Sequence, residues 1–253
     1  MSHDLLSSII STVPSCPVRT ISAGPRRSFA RSTRGGIAST VMYRTETEVD
    51  VEFFMQSGAT ARELAEKIKS PNTLEASIAM AIINSALPLD GFSFSSRNAR
   101  ELVLAAPPGC VLALIGHFCF LERLRPHFKD VLVFELNPQP GDLPATEIPR
   151  RLREADYVAI TGTTLINGTF ESVISSVRQD AYSLVLGPST PFAPLLFDRG
   201  IDALCGTSVT DPDIVERHIR LGSSPHDHAG IAQLVLEAVN YLNRQTVPAG
   251  VAR

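Results

Sequence analysis

The chain of 253 residues has few lysines, little net charge and no long apolar run. Its lysines are Lys67, Lys69 and Lys129, and this scarcity disfavours mechanisms that need a Schiff-base lysine. No apolar run approaches the ~20 residues that a membrane-spanning helix requires. The formal net charge is −3, so no overall positive field favours nucleic acid. These absences predict a protein that partners neither a membrane nor a nucleic acid.

The cysteines are also few and widely spaced. Cys16, Cys110, Cys119 and Cys205 form no CxxC pair, which favours free thiols in a reducing compartment over a disulfide framework. The first residues, MSHDLLSSIISTV, lack a basic segment before a long apolar run, so they are not read as a signal peptide. We therefore expect a cytoplasmic protein.

The first 95 residues predict a small α+β domain. A short helix is expected over residues 4–13, and antiparallel strands are expected within 37–51, where apolar and polar residues alternate. Thr60 with Glu63 three residues later is a capping box that begins the next helix. Residues 73–87 predict a helix that is apolar on nearly all faces and is therefore buried.

Short apolar runs that alternate with helix-length segments characterise the second part of the chain. This pattern predicts a parallel sheet with both faces covered. The expected fold class is therefore α/β, with a Rossmann-like domain at residues 96–253 that follows the smaller domain at 1–95. The predicted strands are residues 111–115, 131–134, 157–160, 184–186 and 203–205.

The loops after these strands are predicted to form the binding site, because parallel sheets of this type bind ligands at the carboxyl ends of their strands. Four loops should meet at that edge, at residues 116–119, 135–138, 161–169 and 187–191.

Gly116 and Glu135, 19 residues apart, resemble part of a dinucleotide-binding pattern, in which an acidic residue binds a ribose hydroxyl. The sequence HFCFLE that follows Gly116 lacks the further glycines of GxGxxG, so NAD binding is disfavoured. S-adenosylmethionine has no pyrophosphate and stays open as a cofactor. The alternative role for Glu135 is to cap or salt-bridge a neighbouring loop.

His117 and Cys119 are the candidate metal ligands, since an extended His-x-Cys loop places both side chains on one side. Two ligands do not close a metal site, and the alternative is that both side chains are packed and hydrogen-bonded. His226, Asp227 and His228 form a second metal-like cluster before a helix expected to reach Leu242. Its alternatives are a solvated loop, with Asp227 as helix N-cap, or a pair of imidazoles that closes over the site.

Hydroxyl groups follow two of the predicted strands. Ser189 or Thr190 suits a helix N-cap, with Pro191 at the first helical position. Gly168 is the expected N-cap of a second helix, over 169–177. Helix starts of this kind attract anions, and the threonine loop 161–169 lacks the lysine of a phosphate-binding P-loop. The loop is therefore predicted to orient an anionic ligand and not to perform chemistry.

Two passages, TGTTLINGTFESV and VLGPSTPFAPLLFDRGIDALCGTSVTD, resemble the heavy-metal chelation domain family. In the first part of the chain, GGIAST and PNTLEASIAMAIINSAL are similar to the small domain of that family. The resemblance covers most of residues 15–210. It implies an enolase N-terminal-like domain packed on an atypical Rossmann-like domain, with a ligand pocket between them. The chain departs from the family pattern at 117–119.

The resemblance assigns site residues position by position. The family pattern carries Gly36, Glu75 and Asn84 in the first part of the chain and Gly116, Glu135, Thr161, Gly162, Thr163, Asn167, Gly168, Gly187, Pro188, Ser189, Thr190 and Pro191 in the second. Of these, the candidate ligand-binding residues are Gly116, Glu135, Thr161, Gly162, Thr163, Asn167, Gly187, Ser189, Thr190 and Asn84, and Thr164 joins them from the same loop.

The function expected from these observations is binding of a divalent transition metal, or of a small anionic metal complex, in the cleft between the domains. The alternative is an enzyme that acts on a small anionic substrate with a nucleoside cofactor such as S-adenosylmethionine. A third reading is a scaffold module with a vestigial site. The sequence leaves open the metal, the reaction and whether the chain forms a homo-oligomer.

Overall fold

The protein is described by a computed structural model that covers residues 4–42, 48–56, 58–95, 97–118, 121–222 and 229–245. The strands are β1 Thr20–Ala23, β2 Arg27–Arg31, β3 Gly35–Ser39, β4 Val111–Ile115, β5 Asp130–Glu135, β6 Leu143–Pro144, β7 Tyr157–Thr161, β8 Tyr182–Leu186, β9 Ala203–Val209 and β10 Ile231–Glu237. The α-helices are α1 Leu5–Thr12, α2 Val51–Phe54, α3 Ala61–Ala65, α4 Thr73–Ala86, α5 Ala99–Leu104, α6 Leu121–Leu124, α7 Ile148–Arg151, α8 Thr163–Ile166, α9 Phe170–Ile174, α10 Pro212–Arg220 and α11 Ala238–Gln245. Short 3₁₀ helices span Glu66–Lys69, Arg125–His127, Ala145–Glu147, Leu152–Glu154 and Pro194–Arg199.

The larger sheet has seven strands in the order β10-β9-β8-β7-β4-β5-β6. All neighbouring strands are parallel except β10, which runs antiparallel to β9. Because the side chains of a strand alternate between faces, Leu112 and Leu114 pack with α5 on one face, while Ala113 and Ile115 pack on the other. The predicted α/β fold with a parallel sheet and covered faces is confirmed.

The smaller sheet is an antiparallel meander of β1, β2 and β3. One of its faces packs on α4, and the other packs on β9 and α10 of the larger part. Phe29 and Ile37 contribute to a buried cluster with Val209, Val215 and Ile219, so the meander is held between the two parts of the chain. The predicted enolase-like character of this part stays a prediction, as does the division into domains at 1–95 and 96–253.

Helix α4 is buried on almost every face, as its composition predicts, and only Leu74 is partly exposed. Its one buried carboxylate, Glu75, accepts hydrogen bonds from the backbone N–H of Asp50 at 2.8 Å, Lys67 Nζ at 3.1 Å and Ser70 Oγ at 2.6 Å. These bonds replace the water that burial removes from the carboxylate. Glu75 therefore anchors the segment around Asp50 to the helix.

Two predictions differ in part from the structure. Of the strands expected within 37–51, β3 ends at Ser39 and residues 43–47 lie outside the described residues, while Val51 begins a helix because the carboxylate of Asp50 accepts the N–H of Phe53 at 3.0 Å. The helix expected after residue 228 is instead β10 followed by α11. Each residue of β10 pairs with one of β9, so the edge of the sheet satisfies its backbone groups and overrides the helical pattern.

No described helix is long and apolar enough to cross a membrane.

Candidate functional site

A cleft of about 610 Å³ opens at the carboxyl edge of the larger sheet. From β4 the chain adds β5 and β6 to one side of the sheet, and then β7, β8 and β9 to the other. The ends of β4 and β7 therefore mark the point where the strand order reverses, which is where open α/β sheets bind ligands. The volume suits a small molecule.

The cleft is lined mainly by hydroxyl and apolar groups. Its charged or titratable lining groups are His117 and Glu135. Hydroxyl and amide side chains come from Ser39, Thr146, Thr161, Thr163, Thr164, Asn167, Thr169 and Ser172, and the remainder from Ile115, Gly116, Phe118, Phe134, Leu136, Ala145, Ile148, Pro149 and Val173. Seven predicted site residues thus meet here: Gly116, His117, Glu135, Thr161, Thr163, Thr164 and Asn167.

Two glycines allow the loops to approach each other. Gly116 has φ +105°, a conformation that L side chains rarely adopt, and its added Cβ would lie 3.0 Å from Thr161 Cγ2. At Gly162 an added Cβ would lie 2.7 Å from the backbone of both Ser189 and Thr190. Gly162 does not line the cleft. It lets the end of β7 and the loop after β8 come into backbone contact.

The threonine loop leads directly into α8, and several of its polar side chains form hydrogen bonds within the loop. Thr164 Oγ1 donates to the carbonyl of Thr161 at 2.8 Å, and the hydroxyls of Thr161 and Thr163 lie 3.0 Å apart. Asn167 Oδ1 accepts from the hydroxyl of Thr169 at 2.7 Å. The predicted helix over 169–177 is shorter, at Phe170–Ile174, and Gly168 does not cap it, since Thr169 occupies the N-cap position.

Glu135 holds the loop after β4. One carboxylate oxygen accepts the N–H of His117 at 2.7 Å, and the other accepts the N–H of Leu136 at 3.2 Å. This contact is the loop-capping role that the sequence left open. A ribose contact by the same carboxylate stays a prediction.

His117 is the one imidazole that lines the cleft among the described residues. Its Nδ1 lies 3.5 Å from Oδ2 of Asp142, whose side chain is only 3% exposed and also accepts the N–H of Gln139 at 3.0 Å. A carboxylate next to one ring nitrogen orients the imidazole and favours the tautomer whose other nitrogen can bind a metal. The role of His117 as a metal ligand stays a prediction.

Four other predicted residues surround the cleft without lining it. The hydroxyl of Ser189 accepts the N–H of Ser39 at 2.8 Å, and Asn84 Nδ2 donates to the carbonyls of Ile37 and Pro188 at 2.9 and 3.1 Å. Thr190 is buried beside them, and Gly187 has φ +109° at the end of β8. Their part in ligand binding stays a prediction.

The helix predicted to begin at Ser189 or Thr190 is wrong. The next helix begins at Pro194, and its N-cap residue is Ala193. Ser189 uses its hydroxyl for the backbone of β3, so it is not free to cap a helix.

Some of the predicted metal ligands cannot be placed. Cys119, His226, Asp227 and His228 all lie outside the described residues. Within the part of the chain that is described, no three His, Cys, Asp or Glu side chains lie close enough to hold a metal ion. His117 therefore has no set of protein co-ligands in this part of the chain.

Several residues of the site have no counterpart in the sequence prediction, among them the polar residues Ser39, Thr146, Ser172 and Asp142. Ser39 reaches the cleft from β3, Thr146 follows β6, and Asp142 lies behind His117. Ser39 lies in the GGIAST passage that carries the family resemblance, so the sequence contained a usable signal for it. Asp142 and Thr146 belong to a segment whose sequence gives no sign of a site, and only the fold brings them to the carboxyl edge.

The fold and site define a two-part α/β protein whose Rossmann-like sheet has a ligand cleft at its carboxyl edge. A family model described as "Putative heavy-metal chelation" matches residues 98–237, and a second model with the same description matches residues 6–87. The chain belongs to this heavy-metal chelation family, as the motifs indicated.

Similar proteins agree with this assignment. An uncharacterized protein of Methanocaldococcus jannaschii is 28% identical over 169 residues, which are 64% of this chain and 65% of the relative, so the chain spans less than two thirds of that protein's length. A DUF364-family crystal structure from Desulfitobacterium hafniense is 26% identical with a TM-score of 0.81, covering 92% of this chain and 96% of the other. A DUF364-family structure from Pyrococcus horikoshii, 18% identical, has a TM-score of 0.77 over 92% and 98% of the two chains and supports the fold. Both are described as proteins with unknown function.

Proposed function

We propose that the protein binds a transition metal as a small anionic complex in the cleft at the carboxyl edge of the larger sheet. The observation that carries the proposal is His117. It is a cleft-lining imidazole oriented by a buried carboxylate, yet no described trio of protein ligands could hold a bare ion. Stable metal sites usually have four ligands. A metal in this cleft would therefore need ligands beyond those that the described residues supply, and a chelating anion provides them.

The lining supports a ligand with polar and apolar parts. Hydroxyl groups from Thr161, Thr163 and Thr169 follow one wall, and apolar side chains such as Ile148 and Val173 form another part of the lining. Organic chelators with carboxylate arms present both kinds of surface. The family description of heavy-metal chelation agrees with this class of ligand.

Retention of metal after desalting tests the proposal. Protein without a metal-binding tag is incubated with zinc, nickel, copper or iron, either alone or with citrate, and bound metal is measured by mass spectrometry. We expect more metal to be retained with citrate than without it. Because His117 supplies a ligand, His117→Ala should weaken retention about tenfold or more, since even the partners that orient a metal ligand contribute about 10–100-fold to affinity.

A second imidazole provides the matched control. His127 lies outside the cleft lining, and its Nε2 lies 2.8 Å from the carbonyl of Ala106, so His127→Ala should leave retention unchanged in the folded protein. Equal loss in both variants would contradict a specific role for His117. Equal retention of free and citrate-bound metal would contradict binding as a complex.

The nucleoside-cofactor alternative is tested on the same preparation. Thermal unfolding is followed with S-adenosylmethionine and with adenine nucleotides. A rise in unfolding temperature that is lost in Glu135→Gln would favour the alternative, because Glu135 ends the strand next to β4. No rise leaves the metal complex as the ligand class.

A further inference from the structure

The smaller sheet contributes one residue to the lining of the cleft. Ser39, the last residue of β3, is the lining residue that comes from this sheet. Its N–H donates to Ser189 Oγ at 2.8 Å, so its backbone is fixed against the loop after β8. Its hydroxyl is consequently held at a defined place in the cleft wall.

A guanidinium lies directly behind that hydroxyl. Arg27 pairs with Ser39 across β2 and β3, and its Nη1 donates to Ser39 Oγ at 3.2 Å and to the carbonyl of Arg26 at 3.2 Å. Since the oxygen of Ser39 accepts from a cation, its own proton is left to donate. No described residue accepts that proton, so the hydroxyl can donate it to a ligand in the cleft.

The charge of Arg27 is not neutralised within the described part of the chain. Arg31, two residues along the same strand, pairs with Asp213 at 2.7 Å, whereas no described carboxylate lies within ion-pair distance of Arg27. Burial lowers the pKa of the Arg27 guanidinium, and the neighbouring charge of Arg26 lowers it further, yet an arginine stays protonated at neutral pH. A half-buried cation without a counter-ion attracts an anion to the nearest accessible site.

We propose that Ser39 binds an anionic oxygen of the ligand, a carboxylate or phosphate oxygen, and that Arg27 is the positioning residue that orients and charges this contact. The ligand would then lie along the cleft with its anionic group at Ser39 and its metal or other soft group near His117. The inference rests on the proposed cleft, but it is independent of whether the ligand contains a metal.

Binding of metal-free anions tests this arrangement. Citrate and inorganic phosphate are titrated into the full chain by calorimetry at constant ionic strength, with chloride as the reference anion. We expect Ser39→Ala and Arg27→Gln each to weaken binding of the preferred probe about tenfold or more, since hydrogen bonds that involve charged groups are the strong ones. Arg27→Lys should restore part of the affinity because it keeps the charge.

Arg31→Gln is the matched control. It removes the same charge from the same strand and the same sheet face, but its partner Asp213 lies on α10 and not in the cleft. It should bind citrate and phosphate as the wild type does. The better probe distinguishes a carboxylate ligand from a phosphate ligand. If Arg27→Gln does not fold, Ser39→Ala and Arg27→Lys carry the test.

Two results would overturn the inference. One is a wild-type protein that binds neither probe more tightly than chloride. The other is equal binding by Arg27→Gln and Arg31→Gln. The proposed function fails separately: citrate binding that depends on Arg27, together with no retained metal, refutes metal binding and leaves the anion contact intact.

Discussion

At the scale of single residues, Asp142 is the side chain that the fold adds to His117. Its buried carboxylate lies 3.5 Å from the imidazole Nδ1, which is longer than a direct hydrogen bond. Carboxylates in this position orient the ring of a metal-binding histidine. We expect Asp142→Asn to weaken retention of citrate-bound metal about tenfold. Metal retention after desalting measures the change.

A control separates orientation from folding. Asp142 also accepts the N–H of Gln139, a contact that the oxygen of an introduced Asn can keep. Unfolding of Asp142→Asn in denaturant should therefore resemble that of the wild type. If affinity is unchanged while stability falls, Asp142 serves only the loop.

Glu75 controls stability and not binding. Burial raises the pKa of its carboxyl. The hydrogen bonds from Ser70, from the N–H of Asp50 and from Lys67 lower the pKa by more than burial raises it, so the net pKa lies below the ordinary value. At neutral pH, Glu75→Gln should lower the free energy of unfolding by about 1–3 kcal/mol, because one hydrogen-bonded charge is lost from a buried cluster. Denaturant unfolding measures the difference.

The pH dependence of that difference has a definite sign. A carboxyl whose pKa is lower in the folded state stabilises the protein above its unfolded pKa and loses this effect as the pH falls through the folded value. The gap between wild type and Glu75→Gln should be widest near neutral pH and should shrink below about pH 4. Glu66→Gln, which removes an exposed i,i+3 pair with Lys69, should show little change at any pH. A gap that grows in acid would contradict the assignment.

The position of a site residue was predictable where that residue ends or directly follows a strand that the sequence makes recognisable. Glu135 and the threonine loop were placed at the correct edge because their strands were recognisable in the sequence. Asp142 and Ser39 were not found, since each lies in a segment whose position depends on distant packing. Ser39 reaches the cleft only because the meander packs against β9 and α10.

At the scale of elements, Asn84 links the end of α4 to strand β3 and to the loop after β8. Its amide donates to the carbonyls of Ile37 and Pro188 while its side chain is buried. Asn84→Ala would leave two carbonyls without that donor and should lower the free energy of unfolding by about 2 kcal/mol. Because Ile37 and Pro188 neighbour the residues that hold Ser39, citrate binding should weaken as well. Calorimetry and denaturant unfolding give the two quantities.

Asn98→Ala is the control at the same scale. Asn98 caps α5 at an exposed helix start and does not line the cleft. Its loss should cost about 1 kcal/mol of stability and leave citrate binding unchanged. If Asn84→Ala behaves in the same way, the link through Asn84 has no effect on the site.

Elements were predictable where local signals and tertiary contacts agreed. The capping box at Thr60 and the apolar length of α4 each specify a helix by themselves. The sequence of β10 reads as part of a helix, but it is a strand because the backbone groups of β9 need partners. Ser189 is a residue type that often caps helices, but its hydroxyl instead accepts a hydrogen bond from the N–H of Ser39 in β3.

At the scale of the whole molecule, the meander connects the two parts of the chain. Phe29 is fully buried on the face that packs against Val209, Val215 and Ile219. Phe29→Ala should lower the stability of the entire chain by about 3–5 kcal/mol, because it opens a cavity in the shared interface. Calorimetry should show one unfolding transition at a lower temperature.

The contrasting variant is Val239→Ala on α11, where the side chain is 57% exposed. It should shift the transition little. Two separate transitions in Phe29→Ala would show that the meander and the larger sheet unfold independently. That result would also support the predicted division at residues 95 and 96.

The fold class was predictable because the five apolar runs of the parallel sheet are short, regular and separated by helix-length segments. The order of the strands was not, since a single sequence does not say which strands are neighbours. The placement of the meander against β9 and α10 likewise depends on contacts between residues far apart in the sequence, such as Arg31 and Asp213, which are 182 positions apart.

The two borders of the seven-stranded sheet affect how copies of the chain can meet. β6 has two residues, and one of them is Pro144, which offers no N–H for a further strand. At the opposite border, Ser95 donates to the carbonyl of Val235, and Arg97 pairs with Glu237 at 2.7 Å, so β10 is partly covered. We therefore expect protection against aggregation by strand addition, and any self-association should proceed through side-chain surfaces.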